Sequence, residues 1–151
     1  MTILRAAVAS LFLAVLSASA VTAASAAPAA AAAVRAEKVV YHVNDSTHAM
    51  GALGNVRNHL NANPKAKIVV VTHGPGIDFL LEGAKDKNDN PYDAVVQELS
   101  GRKVQFRVCN NTLSARQIDP KRVLPEATVV PSGVAEIARL QSQEGYVYVK
   151  P

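Results

Sequence analysis

Hydrophobic positions change their period several times between residue 38 and the carboxyl terminus, and each change marks a new element. Lys38-Val39-Val40-Tyr41-His42-Val43 is a short run of β-formers and predicts a first strand. Asn44-Asp45-Ser46 supplies capping residues. Ala49, Leu53, Val56 and Leu60 then recur at spacings of four, three and four, the apolar stripe of an amphipathic helix that Asn63-Pro64 ends. Ile68-Val69-Val70-Val71 is an uninterrupted apolar run, as expected of a strand covered on both faces. It leads into the tight loop His73-Gly74-Pro75-Gly76 and a short helix around Phe79, Leu80 and Leu81. After the polar stretch from Lys85 to Asn90, Pro91 is predicted at the first position of a helix and Gly101 just past its end, with Val95, Val96 and Leu99 facing inward. Val104, Phe106 and Val108 alternate as a third strand that runs into Cys109-Asn110-Asn111-Thr112, and Leu113 and Ile118 fit a short helix. Thr128-Val129-Val130 predicts a fourth strand, and Pro131-Ser132-Gly133 opens a helix carrying Val134, Ile137 and Leu140. Tyr146-Val147-Tyr148-Val149 predicts a last strand after Gly145.

Strands alternating with helical crossovers predict an α/β fold. The expected architecture is a three-layer α/β/α sandwich around a mostly parallel five-stranded sheet, in one domain over residues 37–151. Ligands of such sheets gather beyond the carboxyl ends of the strands. Polar and small residues stand at those ends, and Asn44, Asp45, Gly74, Asn110, Ser132 and Gly133 are the candidate ligand-binding residues. Turn and capping chemistry also favours such residues there.

The first residues read differently from the rest. Arg5 precedes an uncharged run from Ala6 to Val21, followed by small residues with Ala18-Ser19-Ala20 and Ala24-Ser25-Ala26. A positive start, an apolar middle and a small-residue exit predict a signal peptide over 1–26. Its apolar core is shorter than the roughly 20 residues of a spanning helix. An Ala-rich leader over 27–36 would follow. The mature protein is then expected in the periplasm or outside the cell, with no membrane attachment after cleavage.

The formal net charge of +4 is scattered in pairs such as Lys65 and Lys67 or Arg102 and Lys103, and the chain has no Trp. A nucleic-acid protein gathers its charge on one face and interleaves aromatics, so nucleic acid is not an expected partner. G-x-G-x-x-G, a P-loop and the G-x-S-x-G elbow are all missing. Four histidines and one cysteine without close spacing make no metal set. No cofactor is implied.

What remains is Cys109, the single cysteine. It cannot form an internal disulfide, so it is either a buried thiol acting as a small hydrophobe or a group kept for chemistry. It leaves a strand where a short helix is expected to begin, and free N–H groups there favour thiolate. His73, at the end of the second strand, is a candidate proton shuttle or thiolate partner if the second and third strands are neighbours. The bland reading is a hydrogen-bonded loop residue. His42 is expected to pack within the first strand, and His48 and His59 to lie on the first helix.

The stretch Phe106-Arg107-Val108-Cys109-Asn110-Asn111-Thr112-Leu113-Ser114-Ala115-Arg116-Gln117-Ile118 resembles the cysteine region of the DsrE-like family. In that family a hydrophobic strand, a cysteine, small residues, then an Arg and an aliphatic residue follow in this order. The resemblance continues through His73-Gly74-Pro75-Gly76, Pro131-Ser132-Gly133-Val134-Ala135-Glu136 and Leu140-Gln141 to Tyr146-Val147-Tyr148-Val149, from about Lys38 to Pro151. It implies a DsrE-like α/β/α fold, often a homo-oligomer (trimer or hexamer), and in some members a cysteine, matched here by Cys109, that carries sulfur as a persulfide. Cys109 is then expected to carry sulfur in this way or to bind a small thiol-reactive ligand. A sulfur donor or acceptor protein would then be a partner. The chain departs from the sulfur-relay members in its export signal and in Asn110-Asn111, where they tend to have small, alanine-rich residues. The alternative is a ligand-binding or assembly module with the same fold and an inert, buried Cys109. Nothing after Lys150-Pro151 covers the last strand, and an open sheet edge invites pairing with another copy.

Overall fold

Five strands pair into one sheet: β1 (Lys38–Val43), β2 (Lys67–Thr72), β3 (Gln105–Cys109), β4 (Ala127–Val130) and β5 (Val147–Val149). Their order is β4-β3-β2-β1-β5 and every pairing is parallel. The structure, a computed structural model, describes residues 36–151. The expected signal peptide (1–26) and all of the expected leader but Ala36 lie outside the described residues. The expected α/β class is the observed one.

Four α-helices join the strands: α1 (Ala49–Ala62), α2 (Tyr92–Gly101), α3 (Asn110–Ala115) and α4 (Gly133–Glu144). From β1 to β4 the chain steps in one direction across the sheet, and α4 then carries it back to β5 beside β1. Crossovers are right-handed, so reversing the direction of travel reverses the face on which the connection lies. The helices are divided accordingly. Val39, Tyr41 and Val43 of β1, Ile68 and Val70 of β2, and Phe106 and Val108 of β3 share one core with α1, α2 and the 3₁₀ helix Gly74–Leu80. Phe79, Phe106, Leu53, Ile77, Leu80 and Leu99 are its largest fully buried side chains, each worth about 1.5–3 kcal/mol of burial. Val40, Val69 and Val71 alternate to the other face, where Ile137 and Leu140 of α4 cover them in a much smaller core edged by Tyr146. No helix among the described residues is long and apolar enough to cross a membrane.

Two element boundaries differ from expectation. Pro91 does not begin α2 but precedes it as the N-cap with extended backbone (φ −70°, ψ 138°), because it bridges to Lys85 across the preceding loop. Gly101 is the last helical residue. Lys103 takes the left-handed turn instead (φ 69°), which returns the Val104 N–H to the Leu99 carbonyl and delivers Val104 to the core.

Candidate functional site

The chain leaves β3 toward the large core, where α3 buries Leu113, and leaves β4 toward the opposite face through α4. The carboxyl ends of two neighbouring parallel strands whose connections part in this way form a topological switch point, the usual ligand position in such sheets. Cys109, the last residue of β3 and the N-cap of α3, stands on one side of it. Gly133, the first residue of α4, stands on the other.

The approach is close enough to require glycine. A Cβ at Gly133 would lie 2.9 Å from the Thr72 carbonyl oxygen and 3.3 Å from the Cβ atoms of both Cys109 and His73. Cys109 and His73 therefore flank the same backbone position on adjacent strands. Gly76 is similarly constrained. A side chain there would strike the Val43 carbonyl and come within 2.7 Å of the Asn44 Cα, so the loop after β2 lies directly against the end of β1.

Cys109 is 5 % exposed, and burial pushes its thiol pKa upward. Hydrogen-bond donors more than offset this: the Gly133 N–H, the Thr112 hydroxyl and N–H, and the Asn111 N–H together hold the pKa below that of a free thiol. The Thr112 oxygen also accepts the Gly74 N–H at 2.9 Å. One hydroxyl thus ties the loop after β2 to the sulfur at the end of β3.

Second-face side chains continue the row. His73 and His42 meet through their Nε2 atoms at 2.7 Å, and His42 Nδ1 lies 2.7 Å from the Tyr148 hydroxyl. Burial lowers the His42 pKa, with His73 and Lys150 adding to the effect. Tyr148, His42, His73 and Cys109 come from β5, β1, the end of β2 and β3, four consecutive strands of the sheet.

Among the other expected site residues, Gly74 begins the 3₁₀ helix in the left-handed conformation (φ 55°) and serves the site through Thr112. Ser132 is the N-cap of α4, its hydroxyl accepting from the Ala135 N–H. Asp45 is engaged locally: its carboxylate accepts from Thr47 N–H at 2.9 Å and Thr47 Oγ1 at 2.8 Å, and these bonds hold its pKa low. Asn44 contributes backbone packing against Gly74 and Gly76. Asn110 is half-buried at the start of α3, next to Cys109. The structure therefore gathers Cys109, His73, Gly74 and Gly133 into one site and leaves Asp45 in a cap.

Thr112, His42 and Tyr148 were not foreseen. A usable signal existed for two of them: period-2 alternation puts His42 and Tyr148 on the face of Val40, the one α4 covers. Thr112 gave no such signal, because its role depends on a backbone N–H from another element. Among the described residues no three His, Cys, Asp or Glu side chains converge as a metal set.

Comparison with known proteins places this geometry in a family. The profile of the DsrE/DsrF-like family matches residues 10–151. The chain belongs to the DsrE/DsrF-like family. Its fold is accordingly a DsrE-like one, related to the fold used in sulfur relay. Among solved structures, a protein of unknown function, MTH1491 from Methanobacterium thermoautotrophicum, is similar at 33% identity and a TM-score of 0.67. That match covers 76% of this chain and 99% of the other. The ychN protein from E. coli shares the DsrE-like fold at 13% identity and a TM-score of 0.61, covering 75% of this chain and 99% of that one. No curated protein matches.

Proposed function

We propose that this DsrE-like chain is an exported sulfur carrier that holds sulfur as a persulfide on Cys109. The observation that carries the reading is the place of Cys109, the N-cap of α3 against Gly133 and beside His73, where neighbouring donors favour thiolate in spite of burial. Thiolate is the nucleophile in sulfur exchange. The Cys109 thiolate attacks the outer sulfur of a donor persulfide, the sulfur–sulfur bond of the donor breaks, and the donor's inner sulfur leaves as thiolate. In the next half-reaction an acceptor thiolate attacks the outer sulfur of the Cys109 persulfide, and the Cys109 thiolate departs. Gly133, Thr112 and Asn111 stabilise negative charge on Cys109 at the start of the first step and the end of the second. His73 is the proton partner of the site.

The rival, a binding or assembly module with an inert cysteine, has one observation on its side: the 5 % exposure of Cys109. Alkylation of the native protein against pH separates the two. Reaction titrating clearly below the free-thiol range supports the carrier. A slow thiol titrating at or above that range ends it. Intact-mass measurement of protein isolated from the periplasm is expected to show Cys109 bearing one extra sulfur atom and an amino terminus between Val21 and Ala29.

The reading includes a homo-oligomer, a trimer or hexamer. Its support is the exposed edge at β5 together with Val134 and Val147, both 62 % exposed. Sedimentation equilibrium of the reduced protein is expected to show the assembly. A single monomeric species at micromolar concentration removes this part of the reading.

A further inference from the structure

The strongest unexplained feature on the second face is the contact between two imidazoles. His42 and His73 have Nε2 atoms 2.7 Å apart, ring centroids 4.7 Å apart and ring planes inclined by 29°. The centroid separation is nearly the full reach of one ring, a hydrogen bond and a second ring in line. The two nitrogens therefore meet edge to edge, near both ring planes, and not face to face. At that distance one nitrogen carries the hydrogen and the other accepts it, because each neutral imidazole has one donor and one acceptor.

The next bond fixes the alternatives. His42 Nδ1 is 2.7 Å from the Tyr148 hydroxyl. When His42 Nε2–H donates to His73, His42 Nδ1 accepts from Tyr148, and His73 carries its own hydrogen on Nδ1. When His73 Nε2–H donates to His42, His42 Nδ1–H donates to the Tyr148 oxygen, and His73 Nδ1 is bare. The two arrangements differ by one proton moved through two hydrogen bonds. A proton taken up at His73 Nδ1 is matched by a proton released at the Tyr148 hydroxyl, with no net charge left between.

The ends of this chain lie in different surroundings. Tyr148 is 40 % exposed at the edge strand. His73 is half-buried, and its Cβ flanks the Gly133 backbone together with that of Cys109. We propose that Tyr148, His42 and His73 form a proton relay between solvent and the Cys109 site, with His42 and Tyr148 as positioning residues for His73. The proposal rests on the persulfide reading and names the proton path that reading requires. When the Cys109 thiolate takes the outer sulfur of a donor persulfide, the outer S–H proton arrives with it and the donor leaves as thiolate. His73 accepts that proton from the new Cys109 persulfide and returns it to the donor thiolate, or the relay exchanges it with solvent. The products are the Cys109 persulfide anion and the donor thiol. One sulfur–sulfur bond forms, one breaks, and total charge is unchanged.

The surroundings of His42 disfavour its charged form. His73 approaches from β2, Tyr148 and Lys150 from the end of the chain, and Asp45 and His48 share with it a small cleft of about 50 Å³. From α4, Glu136 and Arg139 are engaged with each other and with Arg107 and Glu144. Burial and the neighbouring His73 and Lys150 disfavour a positive His42, so its two nitrogens stay available to pass a proton.

The test uses the mature protein loaded with inorganic polysulfide and discharged to free cysteine, followed by intact mass. A positioned proton-transfer group contributes about 10²–10⁴-fold, and a residue that acts through it contributes part of that. His42→Phe is expected to slow discharge about a hundredfold at neutral pH and Tyr148→Phe about tenfold, each with a shifted pH profile. Two-bond ¹⁵N–¹H spectra of the wild type are expected to show one hydrogen shared by the two Nε2 atoms. Tyr148→Phe, with thermal stability within a degree or two of wild type, carries the kinetic arm if His42→Phe fails to fold. A wild type that loads and discharges while both variants keep its rates within twofold and its pH profile overturns the relay alone. A wild type that never loads overturns the carrier and the relay together.

Discussion

The two faces of the sheet are built from the same strands yet do different things. On the first, β1, β2 and β3 present a mostly apolar layer, with Thr72 buried at its carboxyl end, sealed by α1, α2 and the 3₁₀ helix. On the second, only the middle is apolar: Val40, Val69 and Val71 lie under α4, and past them come His42, His73 and Cys109. The difference follows from topology. Three connections lie on one face and a single helix on the other, so the carboxyl end of the second face is incompletely covered. Burial energy is concentrated on one side, and polar groups are tolerated on the other within reach of the crevice. The main core and the polar row are thus separated by the alternation of a strand.

The largest effects test that division directly. Phe106→Ala, in the first core, is expected to cost about 3–5 kcal/mol in urea denaturation, whereas Ile137→Ala under α4 costs about 2 kcal/mol. Phe106 is 1 % exposed and sits among buried neighbours, while Ile137 is 7 % exposed in a small cluster. Equal or inverted costs would break the comparison.

Gly133→Ala comes next. Its Cβ would meet the Thr72 carbonyl oxygen at 2.9 Å, and neither this backbone nor the flanking Cβ atoms of Cys109 and His73 can yield cheaply. The expected loss is about 1–3 kcal/mol, with slower alkylation of Cys109 because its Gly133 N–H donor moves away. Unchanged stability and reactivity would show that the crevice opens more readily than its contacts imply.

Cys109→Ser is expected to do less to stability and more to function. A serine hydroxyl at this position meets the donors that now face the sulfur, so it is not left unsatisfied, and the cost stays below about 1 kcal/mol. Polysulfide loading disappears completely. A loss of about 1–3 kcal/mol, as for an unsatisfied buried hydroxyl, would move Cys109 from the chemical face into the core.

The fold was readable because its signals are local. The Val-rich run at 68–71, the stripe Ala49, Leu53, Val56 and Leu60, and the alternation at 104–108 each specify an element without help from distant residues. That Cys109, His73, Gly74 and Gly133 come together was readable because strand ends in a parallel sheet converge. The rest depended on strand order. That β5 lies beside β1, and that Tyr148 therefore reaches His42, follows from the return of α4 across the sheet, which no local pattern encodes. Asp45 shows the ambiguity of a strand end. A residue at a strand end that caps a turn has the same sequence signature as one that binds a ligand.

The smallest expected effect is the dependence of stability on pH, and it again divides the faces. On the first face Tyr41 and Tyr92 have raised pKa values, caused first by burial. A raised native value contributes stability that is fully present below the free phenol value and is lost as pH climbs through the native one, so these two tyrosines respond only above about pH 10. The second face responds nearer neutrality. Cys109 has a lowered pKa: burial opposes ionisation, and the Gly133, Thr112 and Asn111 donors outweigh it. Between its native value and that of a free thiol, about 8.5, the unfolded chain binds more protons, so stability rises with pH. The gain is complete above the free-thiol value and is lost as pH falls through the native one. His42, lowered by burial and then by His73 and Lys150, has the same sign around a lower reference, and its contribution fades as pH drops below about 6.5. Denaturant midpoints of wild type and Cys109→Ser, measured from mildly acid to mildly alkaline pH, isolate the cysteine. Their difference is expected to widen in favour of the wild type as pH rises toward the free-thiol range. A constant difference would mean that the thiol titrates alike in the folded and unfolded chain, and the second face would then lose its claim to a prepared thiolate.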